Sequence, residues 1–221
     1  MNNIQNDQTQ QADEQPFVLD VVLASASPRR KELLEREGVN FTIRVSHVDE
    51  TIDENSYLEP KEAAKKIAER KAHAVVEEML GENYRGTAMV IGADTMVVYN
   101  NEIFGKPENK QDAHNMLRKL SGNTHEVITG VSVWMILAEG EDISIGMRSF
   151  TESSGVIFKQ LSDETIDAYI EENQPFDKAG SYGIQDEGIS VIEGYEGDFD
   201  NVVGLPVLSL IEKFPQLVGK F

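Results

Sequence analysis

The apolar positions of the chain fall into runs and stripes that predict an alternation of strands and helices. FVLDVVLAS (17–25) is a short apolar run of buried-strand character, ended by Ser27-Pro28, a helix N-cap followed by proline at the first helical position. Leu33 and Leu34 give that helix a buried side, Gly38 suits its C-terminal end, and FTIRV (41–45) reads as a second strand. Pro60 opens the clearest helix, with Ala63, Ala64, Ile67, Ala68, Ala72, Val75, Val76 and Met79 on one 3.6-residue stripe. AMVIGADTMVV (88–98) predicts a strand and residues 110–120 a short amphipathic helix. HEVITGVSVWMIL (125–137) predicts a long strand, with AEGED as a hairpin turn, followed by a pair of strands near 143–150 and 154–159. A helix near 163–172 starts at Ser162 with acidic residues in its first turn, a glycine-dotted stretch (177–205) holds short strands and loops, and LPVLSLIEKF supplies a last helix. The alternation early in the chain and the clustering of strands in its middle predict an α/β fold with a mixed central sheet flanked by helices. Residues 1–16, MNNIQNDQTQQADEQP, lack the apolar content to order themselves and read as a disordered tail ahead of one domain over 17–221.

Two residues break these patterns. Lys71 occupies a position on the apolar stripe of the long helix, and Asp94 interrupts an apolar strand. A buried carboxylate requires a cation, a metal or a proton, unless it sits at a strand end capping a loop. The lysine either meets a partner inside or snorkels, its stem packed and its ammonium in water.

Composition sharpens the question. With 39 acidic against 20 basic residues the net charge is −19, a field that repels nucleic acid polymers and anionic membranes. A small polyanion still binds if cations gather locally. Absence of cysteine excludes disulfides, thiolate zinc sites and cysteine nucleophiles, and fits a reducing compartment. No run of about 18 apolar residues predicts a membrane span, and the first residues lack the basic start and apolar core of a signal peptide. The cytoplasm is the expected location.

Cations do concentrate near predicted turns. Ser25-Ala26-Ser27-Pro28-Arg29-Arg30 sits where a strand passes into a helix N-terminus, whose free N–H groups and dipole favour an anion. Two arginines in a first turn are unfavourable unless they face solvent or share a bound phosphate. Lys106 is presented by the turn Phe104-Gly105-Lys106-Pro107, and Asp49-Glu50 is a carboxylate pair suited to a divalent cation or to solvent. In FDKAGSYGIQ (176–185) the glycines allow close backbone approach and Gln185 can read the edge of a base. Neither a Walker loop, a zinc-protease motif, a nucleophile elbow nor GxGxxG occurs.

Eight segments in order resemble the Maf family of nucleotide pyrophosphatases: LASASPRRKELL (23–34), DE (49–50), AERKA (68–72), VIGADTMVV (90–98), GKP (105–107), MLRKLSGNTHEVITGV (116–131), FDKAGSYGIQ (176–185) and GDFDNVVGLP (197–206). The resemblance covers roughly residues 18–214. It departs from the family at Ser46-His47-Val48, ahead of the acidic pair, and at Ser154-Gly155. It implies two lobes with a nucleotide in the cleft between them, a divalent cation (Mg²⁺ or Mn²⁺), a cytoplasmic homodimer, and hydrolysis of a nucleoside triphosphate to the monophosphate and pyrophosphate. Carried over by position, Ser25, Arg29 and Arg30 match the phosphate-binding signature, and Lys71 and Lys106 match the cleft lysines. Glu50 and Asp94 match the acidic pair that holds metal, with Asp94 also the presumed general base. Members acting on dTTP and UTP are similar to this chain in having Arg29, Thr95 and Gln185. The 7-methyl-GTP subfamily differs at the positions matching Thr95 and Gln185. That subfamily, and a nucleotide-binding regulator of cell division without turnover, are the competing expectations.

Overall fold

A computed structural model of the chain describes residues 18–49 and 59–219. The expected N-terminal tail lies outside them. Seven strands form one mixed sheet in the order β2-β1-β3-β5-β6-β7, with β4 paired to β3. Strands β1 (Leu19–Leu23) and β2 (Thr42–Ile43) run parallel to each other, and β1 runs parallel to β3 (Gly86–Tyr99). Strands β4 (Glu102–Phe104), β5 (Thr124–Glu139), β6 (Asp142–Phe158) and β7 (Ile192–Glu196) all pair antiparallel with their neighbours. The expected mixed α/β architecture is the one observed.

Helix α1 (Pro28–Arg36) begins as its sequence dictates, Ser27 accepting the Arg30 backbone N–H at 3.4 Å and Gly38 following at φ +72°. Helix α2 (Pro60–Gly81) crosses one face of the sheet and buries its apolar stripe on Val90, Met96, Val98, Ile128 and Ile136. On the other face α1 and α6 (Val207–Lys213) cover Leu23, Met89, Ile91 and Val133. The same face carries α3 (Lys110–Leu120) and α4 (Asp163–Asn173) over Val97, Val127 and Val156, and a short helix, α5 (Phe199–Val203), lies along β5 and β6. Two separate apolar clusters lie on this face of the sheet.

The structure corrects the strand pair expected near 143–150 and 154–159, because a single strand, β6, runs through both. Polar Thr151, Glu152 and Ser153 look like a break in sequence, yet each stands opposite a residue of β5 in unbroken register. Pairing with a long neighbour overrides local propensity here. Strand β2 is shorter than the expected 41–45, and β4 and α5 were not predicted.

One contact sets the depth of the sheet–helix packing. A Cβ on Gly92 would lie 2.3 Å from the carbonyl oxygen of Ala68, and one on Gly130 2.4 Å from the carbonyl carbon of Ala64. Helix α2 rests on bare backbone at both points, through the small residues of its stripe. Since the obstructing atoms are main chain, no rotamer change relieves the clash. Gly130→Ala is therefore expected to destabilise the protein by about 3 kcal/mol, read as a lower denaturant midpoint at unchanged m-value; an unshifted midpoint would show that α2 has room to move.

Candidate active site

The outer edge of β3 has a gap. Strand β1 pairs with it as far as Ile91 and the pairing with β4 starts at Val97, so among the described residues 92–96 have no strand on that edge. A cleft of about 1030 Å³ opens there, at the C-terminal end of β1 and the start of α1. Parallel strands that separate in this way create a crevice suited to ligands. Because the edge itself is uncovered, side chains from both faces of β3 reach one cleft: Asp94 from the α2 side and Thr95 from the other.

The two pattern-breaking residues meet at its floor. Lys71 Nζ donates to Asp94 Oδ1 at 2.7 Å, with the residues only 7 % and 8 % exposed. Snorkelling is thus not what Lys71 does. Burial of either charge alone would cost several kcal/mol, and the pairing offsets most of that.

Above this pair, hydrogen bonds to three described residues fasten Arg30. Its Nε donates to the Gly204 carbonyl at 2.8 Å, Nη1 to Ser25 Oγ at 3.1 Å and Nη2 to Thr95 Oγ1 at 3.2 Å. Thr95 in turn meets Thr129 Oγ1 at 3.0 Å, and Thr129 donates to the Asn201 carbonyl at 2.9 Å. This network ties the segment after β1, β3, β5 and the C-terminal part of α5 with Gly204 together, and it orients the guanidinium. Arg29 is more open and reaches Asp177 at 3.4 Å. Burial raises the Asp177 carboxyl, but nearby Lys178 and Arg29 outweigh that and hold it below the usual range.

The glycine-dotted segment forms the opposite wall. Lys178 lies between Asp177 (3.4 Å) and Asp186 (3.6 Å), and Asp186 also accepts from Tyr169 and from the Gly183 N–H. These contacts set the loop that exposes Gln185 at the cleft. Lys106 lines the same cleft, exposed, its turn held where the Gly105 carbonyl accepts the Gly180 N–H at 3.0 Å.

The cleft therefore collects Ser25, Arg29, Arg30, Lys71, Asp94, Thr95, Lys106 and Gln185. Glu50 lies outside the described residues; its neighbour Asp49 lines the wall. The sequence reading missed Lys178, Asp186, Thr129 and Asn201 as organisers of the site. A lysine next to an aspartate in a glycine-rich segment was the only signal for the first two, and nothing local marked the others. Five cations face four carboxylates among the described lining residues, in a chain of net charge −19. Such a local reversal is where a small polyanion would bind.

Beneath the loop, Tyr182 is buried edge-on against Phe158 and hydrogen-bonded to His125 Nε2 at 2.7 Å. Burial pushes the Tyr182 hydroxyl well up and lowers His125 to about 4. The folded state thus refuses a proton that the unfolded chain accepts near the ordinary histidine value, so stability is retained above that value and lost as pH falls toward 4. Urea unfolding at about pH 7 and about pH 4.5 should show wild type losing about 2 kcal/mol more than His125→Gln; equal losses would mean His125 accepts its proton in place.

Fold and cleft define a class, and comparison with known proteins agrees. The Maf-like protein family matches residues 20–217, and the chain belongs to that family. A dTTP/UTP pyrophosphatase of Bacillus anthracis is 45% identical over 196 residues, covering 89% of this chain and 94% of the relative. Proteins of the same name from Bacillus cereus (strain AH187) and Bacillus thuringiensis subsp. konkukian are likewise 45% identical over the same shares.

Proposed function

We propose that the protein is a nucleoside triphosphate pyrophosphatase that hydrolyses dTTP and UTP to the monophosphate and pyrophosphate, acting in the cytoplasm as a homodimer. The observation that carries the reading is the cation-lined cleft built over the Lys71–Asp94 pair in an otherwise strongly acidic chain. The names of the relatives supply the substrates, and Thr95 and Gln185 match the pattern of that subfamily. Absence of cysteine fits a reducing compartment, and no helix among the described residues is long and apolar enough to cross a membrane.

The roles follow from charge and placement. Arg29, Lys106 and the N-terminus of α1 bind and orient the triphosphate, while Arg30, braced by Ser25 and Thr95, presents a fixed guanidinium to it. Gln185 contacts the base with its amide. Asp94 accepts the proton of the water that attacks the α-phosphorus, its position fixed by Lys71. Lys71 and Lys106 meet the charge that develops on the departing pyrophosphate.

A divalent cation fits the oxygen donors in part. Asp94 and Asp49 put carboxylates on one cleft, although no group of three metal-binding side chains occurs among the described residues. Mg²⁺ commonly takes only one or two carboxylates and completes its shell with phosphate oxygens and water. Asp94 and Glu50 would hold Mg²⁺ or Mn²⁺, which when bound neutralises phosphate charge.

Pyrophosphate release from a panel of nucleoside triphosphates, with Mg²⁺ or Mn²⁺, tests this. The expected result is turnover of dTTP and UTP, reduced about 10²–10⁴-fold in Asp94→Asn, with oxygen from ¹⁸O-labelled water appearing in the monophosphate. Turnover confined to 7-methyl-GTP would overturn the substrate assignment. Binding without cleavage would overturn the enzyme in favour of a nucleotide-binding regulator.

A further inference from the structure

The hairpin of β5 and β6 carries a surface that the cleft does not use. Strand β7 covers the outer edge of β6 only at Gly155–Phe158, so among the described residues the edge from Asp142 to Ser154 has no strand partner. Every residue from Asp142 to Arg148 is exposed. Three of them are large and apolar at alternate positions: Ile143 (46 %), Ile145 (47 %) and Met147 (49 %). They stand opposite Ala138, Ile136 and Trp134, and so continue the apolar face that α2 covers further in. An apolar strand edge without lysine or proline invites pairing with another strand.

We infer that this edge is the homodimer interface, β6 pairing antiparallel about a two-fold axis with β6 of a second copy. The inference rests on the homodimer reading above and adds its location. Charge complementarity selects the register. Charged residues on β6 are Asp142, Arg148 and Glu152. Residues that face each other across a two-fold must share a sheet face, which limits opposite-charge pairing to two choices. Setting Arg148 opposite Glu152 would place Ile143 opposite Ile157, whose edge β7 already occupies. Glu152 is moreover held by Ser209 at 3.2 Å. Setting Asp142 opposite Arg148 of the partner subunit meets no strand already in place; Arg148 lies over the Phe214 ring at 5.9 Å in either register. That register puts Ile145 on the axis and Ile143 against Met147 of the partner subunit. One register thus joins both charge pairs and buries all three exposed apolar side chains.

The test is solution mass by light scattering on the full chain. Wild type should run at twice the 24.6 kDa chain mass. Asp142→Arg and Arg148→Asp, each placing like charges at both contacts, should each weaken the dimer about tenfold or more. Mixing the two variants restores an opposite pair at both contacts, so the mixture should regain the dimer, which also shows that each variant is folded. A monomeric wild type overturns the homodimer reading together with this surface. A dimer indifferent to both substitutions, or a mixture that stays monomeric, overturns the surface alone and leaves the homodimer reading standing.

Discussion

The ion pair between Lys71 and Asp94 is the constraint around which the site is arranged. Two opposite charges sit almost fully buried at the floor of a cleft, one on a helix and one on a strand of the sheet beneath it. They meet only because α2 lies directly on backbone at Gly92 and Gly130, and Gly130 is the residue opposite Asp94 on the neighbouring strand. A methyl group at either glycine would lift the helix and with it the ammonium. The packing of small residues is therefore a functional feature as well as a structural one.

The second constraint is the gap in the edge of β3. Between the end of the β1 pairing and the start of the β4 pairing, residues 92–96 have no strand on that edge among the described residues. This lets one cleft draw Asp94 and Thr95 from opposite faces of the same strand. It also brings the α1 N-terminus, the Lys106 turn and the Gln185 loop around a common space, though they are far apart in sequence. A chain with an overall excess of acid thereby holds a small region of the opposite balance. Long-range repulsion toward polyanions in general coexists with local attraction for one that fits.

Much of this was legible in the sequence, for reasons that differ from residue to residue. Ser27 and Pro28 mark the start of α1 because capping is local chemistry. Lys71 and Asp94 stood out because each violates an apolar pattern, but their pairing is a tertiary fact across 23 residues of chain. The continuity of β6 was not legible, since its polar middle is carried by pairing with β5. Thr129, Asn201 and Asp186 are ordinary polar residues locally, and they matter only through partners that the fold delivers. Helix α5 is five residues long, too short for any periodic signal.

The most direct test of the central claim is a double-mutant cycle on the buried pair, with Lys71→Met, Asp94→Asn and their combination compared for unfolding free energy. Lys71→Met leaves an uncompensated buried carboxylate and should cost about 3 kcal/mol, while the double variant should be more stable than the sum of the single effects by about 2 kcal/mol. Additive effects would contradict the account, because they would mean that Lys71 and Asp94 do not depend on each other.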